Sequence, residues 1–189
     1  MNGDYVQWYG VIFGVSEFGL AMRRRASSGS SQLADKGSLR LLWITIAASV
    51  SLAYFLYYSV PDAGFGAAAP TSRIVGTVIY VCGLALRWYA IIYLGRLFTV
   101  DVAIASDHEL IDSGPYRHVR HPSYTGALLA FLGIGLTLAN WASLAAVTVP
   151  IFAVFARRMR IEEAALLEGL GTPYRAYMDR TKRLFPGIY

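Results

Sequence analysis

Residues 114–124 read Gly-Pro-Tyr-Arg-His-Val-Arg-His-Pro-Ser-Tyr, a basic, turn-rich segment in a chain that is otherwise largely apolar. Ser113-Gly-Pro is a turn signal, and His121-Pro122 reads as the start of a helix, because proline is tolerated in a first helical turn. Apolar runs lie on both sides. Residues 6–22, 41–60 and 74–94 precede the segment, and residues 123–139 and 142–156 follow it. The first three are near the ~20 helical residues that a bilayer core requires. The last two are shorter, roughly 23–26 Å at 1.5 Å per residue, but they match in length and are joined by Asn140-Trp141. They predict a tight helical hairpin entering from one side. The expectation is an all-α integral membrane protein with five transmembrane helices, a C-terminal helical hairpin and cytoplasmic catalytic segments. Residues 1–95 would supply three N-terminal spans and residues 96–189 the catalytic region.

Composition points the same way. The chain is 56% hydrophobic and 15% charged, well below the ~25% charged of soluble domains, and its mean hydropathy is +0.44. Basic residues set the orientation. With the N-terminus outside, fifteen of the seventeen Lys and Arg fall inside, Arg73 alone falls outside, and Arg87 lies within a span. The positive-inside rule then predicts a multi-pass membrane protein with a cytoplasmic C-terminus. The formal charge of +5 becomes a matter of topology and lipid surface rather than a nucleic-acid footprint. No cleavable signal peptide is evident, and a single cysteine, Cys82, excludes an intrachain disulfide. Residues 26–32, Ala-Ser-Ser-Gly-Ser-Ser-Gln, read as a flexible cytoplasmic linker. Gly10 and Gly14 make a small-xxx-small pair, read as a close-packing face of the first helix.

A second polar cluster, Arg158-Met-Arg-Ile-Glu-Glu163, follows the hairpin. The fifth helix is expected to run on to Leu170 with Gly171 as its C-cap, which returns this cluster to the side of residues 117–124. Arg158 and Glu162 share a helix face, about 40° apart, whereas Glu163 lies about 140° around from Arg158. The bland alternative is two intrahelical ion pairs, Arg158–Glu162 and Arg160–Glu163, worth a few tenths of a kcal/mol each. Arg87 reads either as a snorkelling cation at the inner end of the third helix or as a site residue. The three histidines, His108, His118 and His121, match no zinc spacing, so no metal is expected. Gly-x-Ser-x-Gly is absent from the sequence. Gly133-Ile-Gly135 lies inside an apolar run, so it is no dinucleotide loop.

Three segments carry a resemblance. Residues 108–116 (His-Glu-Leu-Ile-Asp-Ser-Gly-Pro-Tyr), 120–124 (Arg-His-Pro-Ser-Tyr) and 158–163 (Arg-x-Arg-x-Glu-Glu) are similar to the catalytic region of isoprenylcysteine carboxyl methyltransferases. Residues 166–177 and the Arg-Leu-Phe-Pro at 183–186 fit the same family. Related membrane methyltransferases acting on phospholipid amines share part of the pattern. The resemblance implies an S-adenosylmethionine-dependent enzyme without a Rossmann domain. It places His108, Glu109, Leu110, Ile111, Tyr116, His121, Pro122, Ser123, Tyr124 and Glu162 around the cofactor, and Arg158 towards the substrate. Those roles make chemical sense. An acidic Glu162 can accept from an ammonium or from ribose hydroxyls, and Arg158 can hold a carboxylate by two points. The expected activity is methylation of a carboxylate on an isoprenylcysteine-like or other hydrophobic substrate that enters from the bilayer. A phospholipid-type N-methyltransferase is the alternative enzyme, and a non-catalytic scaffold binding anionic lipid the alternative of another class.

Overall fold

The computed structural model describes residues 7–25, 36–95 and 110–189. Six α-helices form there: α1 (Gln7–Arg25), α2 (Lys36–Ser59), α3 (Ala69–Leu94), α4 (Pro122–Leu138), α5 (Trp141–Leu170) and α6 (Thr172–Arg180). The helix ends follow local chemistry. Pro122 stands in the first turn of α4, as the sequence suggested. Asn140 caps α5 by accepting from the Ser143 N–H at 3.0 Å. Gly171 closes α5 with φ 61°, a conformation that suits glycine, and its N–H bonds the Leu167 carbonyl at 3.0 Å.

Three stretches, Gly37–Ser59, Gly66–Leu94 and Trp141–Leu170, are long and apolar enough to cross a membrane by length and composition. The shorter Pro122–Leu138 is apolar but falls below that length, and α1 carries Glu17 and ends on Arg23–Arg25. The chain is thus an all-helical membrane protein in which three of the five expected spans meet this measure. Large apolar side chains such as Val15, Phe55, Ile74, Ile92 and Val149 face outwards, the distribution that lipid favours.

Side-chain contacts give the helix directions. Tyr9 meets Thr77 and Glu17 meets Arg87, so α1 and α3 run parallel. Ser143 donates to the Ala53 carbonyl at 2.7 Å and Arg158 reaches Ser38, so α2 and α5 are antiparallel. Helices α4 and α5 fold back on one another through the left-handed Ala139 and through Asn140. Asn140 also donates to the Val60 carbonyl at 2.8 Å, and Phe65 N–H to the Ala139 carbonyl at 2.9 Å. These bonds tie the α2–α3 connection to the α4–α5 turn.

The closest packing lies between antiparallel α3 and α4. A Cβ built on Gly83 would stand 2.6 Å from Ala130 N, one on Gly126 2.5 Å from Arg87 N, and one on Gly133 2.6 Å from the Gly76 carbonyl oxygen. Gly76 is as tightly placed, 2.7 Å from Thr137 N. Only hydrogen fits at these four positions, so the two backbones touch. The close-packing face expected at Gly10 and Gly14 is not the one formed: a Cβ at Gly10 is 3.8 Å from Val50, and one at Gly14 meets nothing within 4 Å among the described residues. Close contact follows where a second helix presents complementary glycines. Beside the seam, Phe13, Tyr80, Phe131, Ile134, Val147, Ile151 and Phe155 form the buried apolar core.

Candidate functional site

The two polar clusters meet where α4 begins and α5 leaves the apolar core. Glu163 is the hub. It is 3% exposed, and its Oε1 accepts from Arg120 Nε at 2.8 Å and from His121 Nε2 at 3.2 Å. Its Oε2 accepts from Arg183 Nε and Nη2 at 2.9 and 2.6 Å. A carboxylate can only accept, so His121 Nε2 carries the proton of that contact. The Arg160–Glu163 surface pair considered from the sequence is replaced by this buried node, and Arg160 is exposed. The Arg183 guanidinium, hydrogen-bonded to Glu163, is held in its charged form well above the usual range. Arg120 also donates to the carbonyls of Met178 and Thr181. The node therefore joins the α4 start, α5 and the segment after α6.

Glu162, the next residue, faces elsewhere. Its Oε2 accepts from the Tyr124 hydroxyl at 2.8 Å, and the same hydroxyl accepts from Arg158 Nε at 3.1 Å. Arg158 is 4% exposed, and its Nη1 donates to the Ser38 hydroxyl at 2.9 Å. Arg158 and Glu162 thus converge through Tyr124, as their shared helix face implied, while Glu163 points away. The His121 ring stacks on Tyr124 with centroids 5.4 Å apart.

Tyr116 sits in a 3-10 turn, Gly114–Arg117, beside this cluster. Its hydroxyl donates to the Ala90 carbonyl at 3.3 Å, and its own carbonyl accepts from the Tyr177 hydroxyl at 2.6 Å. Burial, then the Glu162 charge, pushes the Tyr116 phenol above its usual range. Burial followed by Glu163 and Glu162 does the same to Tyr174, and burial raises Tyr177 to about 12. All three phenols are neutral hydrogen-bonding groups at physiological pH. Pro122 and Ser123 are buried in the first turn of α4, and Leu110 and Ile111 are half-buried on the approach to Tyr116. His108 and Glu109 lie outside the described residues. Among the described residues no three His, Cys, Asp or Glu side chains are grouped to hold a metal ion.

Arg87 is paired with a buried acid rather than snorkelling. It is 8% exposed and clamped by Glu17, with Nε–Oε1 and Nη2–Oε2 both at 2.5 Å, and its Nη1 reaches the Ser123 carbonyl at 3.2 Å. A carboxylate buried on α1 explains why it does not snorkel, because leaving an acid unpaired in an apolar setting is costly. Glu17 and Ser38 were missed from the sequence. An acid within an apolar run was the available signal for Glu17, and nothing distinguished Ser38.

Similarity to known proteins follows this geometry. Residues 75–168 match the model of the isoprenylcysteine carboxyl methyltransferase (ICMT) family. A probable protein-S-isoprenylcysteine O-methyltransferase of Oryza sativa subsp. indica is 33% identical over 116 residues, covering 60% of this chain and 61% of the relative. Protein-S-isoprenylcysteine O-methyltransferase B of Arabidopsis thaliana is 36% identical over 115 residues, covering 60% and 58%. The solved structure of the eukaryotic intramembrane Ras methyltransferase ICMT superimposes with a TM-score of 0.64 at 29% identity, covering 82% of this chain and 55% of that one. The chain thus spans about three-fifths of the length of these curated relatives. In matched segment, in sequence and in fold, the chain is similar to the isoprenylcysteine carboxyl methyltransferase family.

Proposed function

We propose that this protein is an S-adenosylmethionine-dependent methyltransferase acting on the carboxylate of a hydrophobic, lipid-linked acceptor that arrives from the bilayer. The names of its relatives point to a prenylated cysteine as that acceptor. The observation that carries the reading is the Tyr124 hydroxyl, bonded at once to Arg158 and Glu162. It places a guanidinium suited to a carboxylate next to an acid suited to the cofactor.

The donor set fits the cofactor. Glu162 is half-buried, and Tyr124 engages one of its oxygens, so it is the acid available to an ammonium or ribose hydroxyl. Glu163 is already surrounded by Arg120, His121 and Arg183. Tyr116, His121 and Tyr124 supply aromatic walls. When bound, the cofactor supplies an electrophilic methyl group. Arg158 orients the acceptor carboxylate, and the apolar helices around it exclude water. A carboxylate with a pKa near 4 is ionised at neutral pH and needs no base, so alignment can supply several kcal/mol of the acceleration. An ammonium acceptor would need a base. His121 Nε2 donates to Glu163 and Tyr124 donates to Glu162, which favours the carboxylate.

The same reading takes α1 to α5 as five crossings, with the N-terminus outside and both polar clusters in the cytoplasm. Residues 96–189 carry the chemistry and residues 1–95 support it. Cysteine labelling at Ala67 and Gly187 tests the orientation: position 67 should react only from outside and position 187 only from the cytoplasm. Calorimetric titration of detergent-purified protein with S-adenosylhomocysteine should saturate. Methyl label transferred to N-acetyl-S-farnesylcysteine should be released by base, as an ester is. Base-stable label on a phospholipid would point to an amine acceptor, and an absence of saturable binding to a lipid-binding scaffold.

A further inference from the structure

We propose that Ser38, on α2, is a positioning residue for the methyl acceptor: its hydroxyl fixes the Arg158 guanidinium in the orientation that receives the carboxylate. The inference rests on the carboxylate reading above. It adds a helix to the acceptor site that lies outside the matched segment, residues 75–168.

The geometry is specific. Arg158 Nη1 donates to Ser38 Oγ at 2.9 Å, across 120 residues of sequence, and the two residues are 4% and 6% exposed. From another edge of the same planar group, Nε donates to the Tyr124 hydroxyl at 3.1 Å. Two contacts on different edges fix both its direction and its plane. A carboxylate is recognised by a planar fork only when that plane is set beforehand. Tyr124 belongs to α4 and Ser38 to α2, so the acceptor arginine of α5 is held from both sides. The Tyr124 contact also leads to Glu162, whereas the Ser38 contact does not. Loss of Ser38 should therefore act on the acceptor and spare the cofactor.

A matched control exists on the same pair of helices. Ser143 of α5 donates to the Ala53 carbonyl of α2 at 2.7 Å and is fully buried. It joins α2 to α5 at the end remote from Arg158, so it reports the general effect of losing a buried serine bond.

The test measures kcat and KM for N-acetyl-S-farnesylcysteine and the Kd of S-adenosylhomocysteine in wild type, Ser38→Ala, Ser38→Cys, Ser38→Thr and Ser143→Ala. The Ser38→Ala variant should raise KM about three- to tenfold, the range of one hydrogen bond, with Kd for S-adenosylhomocysteine within about twofold of wild type. The Ser38→Cys variant, with a weaker acceptor, should fall between, and also serves if the alanine variant does not fold. The Ser38→Thr variant, which keeps the hydroxyl, should return towards wild type. The Ser143→Ala variant should lower the unfolding temperature and leave KM unchanged. A wild-type KM in Ser38→Ala, or parallel changes in Ser38→Ala and Ser143→Ala, overturns the inference while the proposed function stands. A wild-type protein that binds S-adenosylhomocysteine yet places no methyl on the carboxylate overturns both.

Discussion

Along the α3–α4 seam four glycines let two backbones touch, whereas at the start of α4 one acid, two arginines and a histidine join it to α5. The first contact works by the absence of side chains. Between apolar helices in lipid there is little hydrophobic gain on association, so close van der Waals approach supplies the attraction. The second contact lies where the helices leave the apolar core, and it works by matching charge in a buried space. The seam is a scaffold. The node brings α4, α5 and the residues after α6 into one frame, and the Tyr124 bridge to Arg158 and Glu162 hangs from it.

The sharpest way to break the comparison is to fill the seam. In Gly126→Leu the new Cβ meets Arg87 N and the Gly83 carbonyl oxygen, both backbone atoms that no rotamer change can move. The helices must separate, so the loss should exceed the roughly 1–3 kcal/mol of ordinary overpacking. Size-exclusion profiles and thermal unfolding in detergent should show little folded protein, and a wild-type melting curve would refute the seam. Next comes the node. Glu163→Gln leaves Arg120 and Arg183 facing a neutral amide in a buried site, a change expected to cost roughly 3–5 kcal/mol of stability. Thermal unfolding should register it before any ligand is added, and unchanged stability would make Glu163 a ligand contact instead.

Two substitutions sharpen the line between frame and chemistry. In Glu162→Ala the melting temperature should stay close to wild type while S-adenosylhomocysteine binding weakens about ten- to a hundredfold, as for a lost charge-assisted contact of roughly 1.5–3 kcal/mol. Equal binding losses in Glu162→Ala and in folded Glu163→Gln would count against separate roles. Arg158→Lys keeps the charge but loses the fork, so kcat/KM for the carboxylate should fall about tenfold or more with cofactor affinity retained. Wild-type turnover in that variant would transfer the case to an amine acceptor. The smallest effect belongs to Tyr177→Phe, which deletes the 2.6 Å bond to the Tyr116 carbonyl and should cost about 1 kcal/mol. Stability and S-adenosylhomocysteine affinity measured together would reveal whether the Tyr116 turn moves.

Local signals were legible wherever the chemistry is local. Proline at the start of α4, Asn140 between the paired helices and Gly171 at the end of α5 act on neighbours within four residues, and each stands where the sequence placed it. The separation of Glu162 from Arg158 by one helical turn also held, because helical geometry alone fixes it. The glycine seam was not legible in the same way. Gly76 and Gly83, and Gly126 and Gly133, each recur at seven residues, as a packing stripe would. A stripe does not name its partner, however, and Gly10 and Gly14 offered a comparable motif that the fold leaves nearly open.

The sequence by itself therefore determined the long apolar helices, the membrane character of the chain and the two motifs that meet at the candidate site, since each depends on composition or on spacing along one helix. Only the tertiary structure decided which charges pair. Glu17 finds Arg87 across 70 residues, Arg120 finds Glu163 across 43, and Arg158 finds Ser38 across 120. An ion or a hydroxyl gains its partner from helix crossings, and those crossings are set by the glycine contacts and core side chains of other segments. The physical reason is one of range: hydrogen bonds and close ion pairs act over about 3 Å, while separation along the chain carries no information about distance in space.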